Sequence, residues 1–262
     1  MHSDERERLI FDLLKVKGFV SFQDLDSRIE ASPATIRRDL ERLAAGGLLH
    51  RVRGGAKLTA SAASDRADPN RLLGAPFHEN IALRAQQKQA IGKTAAALCS
   101  PGEAIMIDGG STTLTMCPNL AGLNLQVLTN SLHIVSALLP QVGTRILVPA
   151  GTVFREQNII LSADGEESMP RFHAPKLFMG AAAIGAHGLM QADIVLIAAE
   201  RRLIERADEI IILIDSSKFK GPSGHVVSDL SEIDVVITDE GATAAEREMV
   251  RDAGVRLIIA DS

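Results

Sequence analysis

The sequence predicts a small α+β module of three helices and a hairpin, followed by an α/β domain whose sheet is mainly parallel. Two patterns carry this expectation. Over the first sixty residues, apolar positions recur at helical spacing in three short runs punctuated by Gly, Ser and Pro. Beyond residue 77, short aliphatic runs alternate with helical segments, the pattern of strands covered on both faces. The chain has 262 residues, 46% hydrophobic and 23% charged, with no Trp and no Tyr, which fits a globular protein with an aliphatic core.

In chain order, Leu9/Ile10 and Leu13/Leu14 place a first helix over residues 6–17, with Gly18 where a left-handed cap would sit. The stretch FVSFQDLDSRIEAS then gives a short extended piece, a Ser21 cap with Asp24 three residues on, and a second helix with Leu25 and Ile29 on one face. In SPATIRRDLERLAAGG, Ser32 is a natural N-cap and Pro33 suits the first helical position. Ile36, Leu40 and Leu43 form an apolar stripe, and Gly46 and Gly47 end the helix. With that stripe inward, Arg38 points out, and Thr35, Arg37 and Arg42 lie on the flanks. LLHRVRGGAK reads as a hairpin turning near Gly54 and Gly55.

Three helices and a hairpin are the layout of a winged helix-turn-helix, in which the third helix enters the DNA major groove and basic wing residues contact phosphates. Charge supports that use. The chain as a whole is −5, yet between Arg37 and Lys57 six basic side chains (Arg37, Arg38, Arg42, Arg51, Arg53 and Lys57) face only Asp39 and Glu41. The motifs TIRRDL at 35–40 and RVRGGA at 51–56, after GFVSFQDL, resemble the N-terminal domain of the DeoR family of bacterial transcriptional regulators. The resemblance implies that Arg37, Arg38, Arg51 and Arg53 contact DNA, with Thr35 near the backbone or base edges. Lys57 joins them as a basic wing residue. Arg53 stands where the family commonly has His, which keeps a donor and adds charge.

Residues 58–76, rich in Ala, Ser, Asp and Pro, are expected to be a linker between a DNA-binding domain at 1–57 and a second domain at 77–262. A helix is expected over 77–98, with Ile81, Ala85, Ile91, Ala95 and Leu98 on its apolar face. Strands are expected at 104–107, 126–129, 145–148, 176–179, 210–214, 235–238 and 256–259. The segment DIVLIAAERRLIERA is expected to be helical because it is long and ends in charged helix formers.

Ligands of parallel sheets sit outside the carboxyl ends of the strands, and several polar loops fall there. Asp108, Gly109, Gly110, Ser111, Thr112 and Thr113 combine small residues, backbone N–H groups, hydroxyls and a helix start. That composition suits a phosphate, although a strand-to-helix turn also calls for Gly and a capping hydroxyl for its own sake. Convergence with TNS at 129–131 and DSSKF at 215–219 favours the phosphate. Lys218 is then a countercharge, and Asn130 or Asp215 a partner for sugar hydroxyls. The motifs DGGSTT, LTNS, PAGTVF, LFMGAAAIGAHGL and LIDSSKF are similar, in that order, to the DeoR-family sensor domain. That domain is related to ribose-5-phosphate isomerase and binds phosphorylated sugars or related metabolites. By resemblance, Gly109 to Thr113 hold the phosphate, and Asn130, Gly151, Gly180, Asp215 and Lys218 line the rest.

Two departures stand out. The family often has Gly-Ala-Ser-Gly-Ile-Asp where this chain has GAAAIG at 180–185, and no carboxylate lies between Gly180 and Met190, so proton transfer has no evident base there. Pro118 lies inside the helix that starts at the loop and is expected to kink or shorten it.

The expectation is a cytoplasmic, homo-oligomeric (dimeric or tetrameric) repressor of a carbohydrate uptake or catabolism operon. Its partners are double-stranded operator DNA and a phosphorylated sugar, and it is not an enzyme. The alternative is a sugar-phosphate isomerase-like enzyme with an accessory N-terminal domain. No metal or cofactor is expected, since the seven His are scattered and Cys99 and Cys117 sit in unrelated contexts. The charged start and the lack of a long apolar run argue against a signal peptide or membrane span.

Overall fold

A computed structural model of the chain describes residues 6–7, 9–10, 13–14, 19–29, 31–45, 49–52, 54–58, 77–155, 157–162, 170–221 and 224–261. The chain divides into two compact units, Met1–Arg71 and Leu72–Ser262. Gly18, Gly46, Gly47, Arg53 and residues 59–76 lie outside the described residues, and with them the expected helix stops, one wing arginine and most of the linker.

In the N-terminal unit, Leu9, Ile10, Leu13 and Leu14 are helical, as their spacing requires. Strand β1 (Phe19–Ser21) is followed by helix α1 (Phe22–Arg28), whose cap is Ser21: its hydroxyl accepts from the Asp24 N–H at 3.0 Å. Helix α2 (Pro33–Ala45) buries Ile36, Leu40 and Leu43 against Ile10, Leu14 and Leu25. Strands β2 (Leu49–Val52) and β3 (Gly55–Leu58) form the hairpin, and β3 also pairs with β1, so the wing is a three-stranded antiparallel sheet in the order β1-β3-β2.

The second unit is built on a seven-stranded sheet in which every neighbouring pair is parallel. Its strands are β4 (Ala104–Ile107), β5 (Gln126–Thr129), β6 (Arg145–Leu147), β9 (Ala174–Met179), β12 (Ala207–Leu213), β14 (Val235–Asp239) and β15 (Arg256–Ala260), in the order β15-β14-β12-β9-β4-β5-β6. All seven runs expected from their aliphatic character are strands of this sheet.

Side chains alternate between its faces. On one face Ile105, Ile107, Val127, Phe178, Ile211 and Leu213 pack on Ile91, Met116, Leu120 and Ile134. On the other, Met106, Leu128, Leu177, Met179, Ile210 and Ile212 pack on Leu189, Leu203, Val227 and Val250. Covering helices are α4 (Ala85–Ala96), α5 (Leu132–Leu138), α6 (Ile194–Ile204), which the helical reading of DIVLIAAERRLIERA anticipated, and α7 (Ala244–Asp252).

Three features depart from the sequence expectation. The single helix over 77–98 is two, α3 (Phe77–Ala82) and α4, because Arg84 adopts a left-handed backbone with φ +52°. Ile81 and Ala85 are consequently exposed, and Lys88, Ile91, Gly92, Ala95 and Ala96 are the buried positions of α4. The segment from Thr113 to Leu120, which contains Pro118, is a 3₁₀ helix throughout, so Pro118 accompanies a tighter coil rather than a kinked α-helix. Small antiparallel pieces are added: the hairpin β7 (Gly151–Phe154)/β8 (Ile159–Ser162), and a sheet of β10 (Ala183–Gly185), β11 (Gly188–Gln191) and β13 (His225–Ser228).

Helix α4 lies backbone to backbone against the 3₁₀ helix. A Cβ on Gly92 would sit 2.6 Å from the Thr115 carbonyl carbon and 2.8 Å from the Met116 nitrogen, and the Thr115 hydroxyl donates to the Lys88 carbonyl at 2.6 Å. Gly92→Ala must push these two backbones apart. It is expected to lower stability by about 1–3 kcal/mol, the usual cost of overpacking a filled core, read as a fall in the urea midpoint at unchanged slope.

Candidate functional site

The first candidate surface is the exposed face of α2 and its wing. Ser32 fixes the start of α2 by accepting from the Thr35 N–H at 3.2 Å, and its hydroxyl lies 2.8 Å from that of Thr35. Thr35 is therefore tied into the cap. Arg37 and Arg38 are exposed, with the Arg37 guanidinium 5.1 Å from the centre of the Phe22 ring. Lys57 on β3 is exposed as well. Arg42 pairs with Glu7 and Asp39, and Arg51 with Glu41 at 2.8 Å. Both members of the Arg51–Glu41 pair are about half exposed, and such pairs contribute little.

The second candidate lies in the C-terminal unit. Strand order in the large sheet reverses between β4 and β9: from β4 the chain adds β5 and β6 on one side, then returns to place β9 on the other. Crevices form outside the carboxyl ends of strands at such a switch point. The loop 108–113 leaves β4 at this place, and a Cβ on Gly110 would lie 4.0 Å from the Gly180 Cα at the end of β9. Asp108, Gly109, Gly110, Asn130 and Gly180 are thus brought together as expected.

The loop is internally braced. The Gly109 N–H donates to Asn130 Oδ1 at 3.1 Å, and Asn130 Nδ2 donates to Asp108 Oδ1 at 3.2 Å. The Gly110 N–H donates to the Thr113 hydroxyl at 3.0 Å, which in turn donates to the Asp108 carbonyl at 2.8 Å. Two N–H groups that the sequence reading left open to a ligand are therefore engaged, and Asn130 acts as a brace within the loop. Asp215 likewise accepts from the Ser217 N–H at 3.0 Å and pairs with Arg84 Nε at 3.1 Å, so it caps its own turn and holds a cation. The β7–β8 hairpin approaches by Ile159, whose Cγ2 lies 2.5 Å from where a Gly109 Cβ would be, whereas Gly151 pairs with Ser162 at the hairpin's opposite end.

Sequence reasoning missed the cation that meets the loop. Lys88 on α4 is 2% exposed and donates to Ser111 Oγ at 3.0 Å and to the main-chain carbonyl of Asn80. Burial holds its pKa below the ordinary 10.5. Asp215 opposes that shift, and the charges of Lys218 and Arg84 add to it. Its sequence signal was a lysine in register with Ile91, Gly92 and Ala95 on the apolar face of a helix. Arg84 reaches further, donating to Ser216 Oγ at 2.9 Å.

Two carboxyls are buried here, Asp108, which the sequence reading placed in the loop, and Glu200, which it did not name. Burial raises the pKa of Asp108, against hydrogen bonds from Gly109 and Asn130. Burial and then the charge of Asp108 raise that of Glu200 on α6 well above its usual value, against a hydrogen bond from Gln191 at 2.5 Å. Residues 180–190 hold no carboxylate, as the sequence shows; these two groups come from the loop after β4 and from α6. Cys99 and Cys117 have pKa values pushed up to about 12 by burial, so neither is a thiolate at neutral pH. Among the described residues no cluster of three His, Cys, Asp or Glu suits a metal, and no helix is long and apolar enough to cross a membrane.

Comparison with known proteins assigns both units. Residues 6–62 match the DeoR-like helix-turn-helix domain and residues 83–240 the DeoR C terminal sensor domain. A putative aga operon transcriptional repressor of Escherichia coli O157:H7 is 30% identical over 98% of this chain and 94% of its own length. The HTH-type transcriptional regulator UlaR of Shigella dysenteriae serotype 1 is 28% identical over 98% of this chain and 99% of its own. Ribose 5-phosphate isomerase A of Methanocaldococcus jannaschii superposes on 51% of this chain and 54% of its own, at 15% identity and a TM-score of 0.39, too low to bear weight.

The raised pKa of Glu200 has a stability consequence. Above pH 4.5 the unfolded chain releases this proton first, so folding loses stability from 4.5 up to the folded-state value. Glu200→Gln removes the ionisable group and keeps an acceptor for Gln191. The melting temperature of the variant should exceed that of the parent at neutral pH, with the gap closing as pH falls below 4.5. A gap equal at acid and neutral pH contradicts the assignment.

Proposed function

The chain belongs to the DeoR family of transcriptional regulators, and we propose that it represses a carbohydrate uptake or catabolism operon under control of a phosphorylated sugar. The observation that carries the ligand half of this reading is the buried Lys88 ammonium hydrogen-bonded to Ser111 at the switch point of a parallel sheet. A buried cation whose acceptors are a hydroxyl and a carbonyl gains most from an anion, and the phosphate of a sugar phosphate supplies one. The phosphate lies against Ser111, Thr112 and Lys88. Asp108 and Glu200 provide acceptors for hydroxyls, and Gly180 keeps the floor open. Lys218 adds positive potential.

On the DNA side, α2 enters the major groove with Arg37 and Arg38 leading, while Arg51, Arg53 and Lys57 contact the backbone from the wing. A single winged head reads a short half-site, so the working form is a cytoplasmic homo-oligomer that presents two heads. Residues 58–76 link head to sensor. The relatives named for the aga operon and as UlaR support the operon-level reading.

The family contains regulators, and that membership weighs against the isomerase-like enzyme. The decisive contrast is kinetic: turnover of pentose and hexose phosphates at ordinary enzymatic rates would establish the enzyme instead.

Arg38→Ala removes an exposed side chain outside the core. It should weaken binding to a DNA fragment from the protein's own promoter region by roughly 10- to 100-fold, or about 1–3 kcal/mol, at unchanged melting temperature. A gel shift indistinguishable from the parent's refutes the contact. Ser111→Phe should abolish the response of that complex to sugar phosphates while leaving DNA binding intact, and a variant that still responds shows that the loop only turns the chain.

A further inference from the structure

We propose that Arg84 is a second anion-binding residue of the sensor unit, its guanidinium closing with the Lys88 ammonium on one phosphate. This rests on the reading of loop 108–113 as a phosphate site, and it adds to that site a residue that sets how tightly the anion is held.

The two cations stand at the start of one helix and reach toward different strand ends. Arg84 is the N-cap of α4, and its carbonyl accepts from the Lys88 N–H at 3.0 Å. Lys88 donates to Ser111 in the loop after β4. Arg84 Nε instead pairs with Asp215 at 3.1 Å, and Nη2 donates to Ser216 Oγ at 2.9 Å, in the turn after β12. Between β4 and β12 runs β9, and Gly180 follows it. A Cβ on Gly180 would meet nothing nearer than the Leu213 carbonyl at 3.9 Å, so the space between loop and turn stays open. Arg84 therefore borders that space on the side away from the loop.

The guanidinium is held without being covered. Asp215 and Asp239 are each 2% exposed and are themselves fixed by main chain. Asp215 accepts from the Ser217 N–H at 3.0 Å, and Asp239 from the Ser216 and Gly241 N–H groups at 2.9 and 2.8 Å. Arg84 Nη2 lies 3.9 Å from Asp239 Oδ1. These carboxylates orient the Nε and Nη2 edge, whereas Nη1 has no acceptor among the described residues and 40% of the side chain is exposed. A guanidinium ordered in advance offers its remaining donors to a phosphate at low entropic cost.

Backbone and charge point the same way. Arg84 has φ +52°, a left-handed conformation that Gly and Asn adopt at least cost, and strain of this kind gathers at ligand clamps. Burial lowers the proton affinity of Lys88; Asp215 opposes this, and the charges of Lys218 and Arg84 add to it. The two cations are thus near enough to repel each other, and an anion between them turns that repulsion into attraction.

The melting temperature of the full chain, followed as sodium phosphate replaces sodium chloride at constant ionic strength, tests the assignment. The parent should melt higher with phosphate, since the anion binds the folded state. Arg84→Asn suits the left-handed backbone and removes the cation. It should need at least about tenfold more phosphate for the same rise, the loss expected for one hydrogen bond to a charged group. Arg84→Gly serves in its place if the Asn variant does not fold. A purely structural arginine would lower the melting temperature without phosphate and leave the rise intact, so an unchanged rise overturns the role of Arg84 and leaves the phosphate reading standing. Ser111→Phe should abolish the rise. A rise that survives Ser111→Phe puts the anion elsewhere and overturns both readings, as does a parent that does not respond.

Discussion

A lysine ammonium withdrawn from water must be met by acceptors or surrender its proton. Lys88 is met by a hydroxyl and a carbonyl, both neutral, and burial still depresses its pKa. Three local features place this cation. Gly92 allows α4 to lie directly on the 3₁₀ helix that follows the loop, Thr115 ties that helix to the Lys88 carbonyl, and Arg84 turns the chain so that α3 passes within reach of Nζ. A larger residue at 92 would move the cation away from Ser111.

The two buried carboxyls bear on the reasoning about catalysis. Isomerase chemistry needs a positioned acid or base, and residues 180–190 offer none. Asp108 and Glu200 nevertheless lie close enough for the charge of one to shift the proton affinity of the other. Regulator rather than enzyme is therefore a conclusion from family membership and the basic helix, not from missing carboxyls. Groups of this kind serve recognition as well as turnover: a buried carboxyl rewards a ligand hydroxyl and penalises a second anion.

The parallel sheet was legible because its strands are covered on both faces and read as unbroken aliphatic runs. Helix α2 was legible because Ser32, Pro33 and the Ile36–Leu40–Leu43 stripe obey local rules. The sequence did not disclose the break at Arg84, which is held by partners more than a hundred residues away. Nor did it disclose the hairpin from Gly151 to Ser162, whose short strands carry little periodicity. Lys88 was visible as a charge on an apolar face, yet its partners come from α3 and the loop and only tertiary structure brings them together. Within the loop, the side chains of Asn130 and Thr113 already hold N–H groups that composition alone leaves free for a ligand.

The central claim is that a phosphate in the sensor unit governs the DNA-reading head. Fluorescence anisotropy of labelled promoter DNA, with the full chain titrated in the presence of paired sugars and their phosphate esters, tests it most directly. The account predicts that at least one phosphate ester shifts the DNA affinity while its unphosphorylated parent at the same concentration does not. Equal effects of ester and parent, or an affinity untouched by every ester, would contradict it.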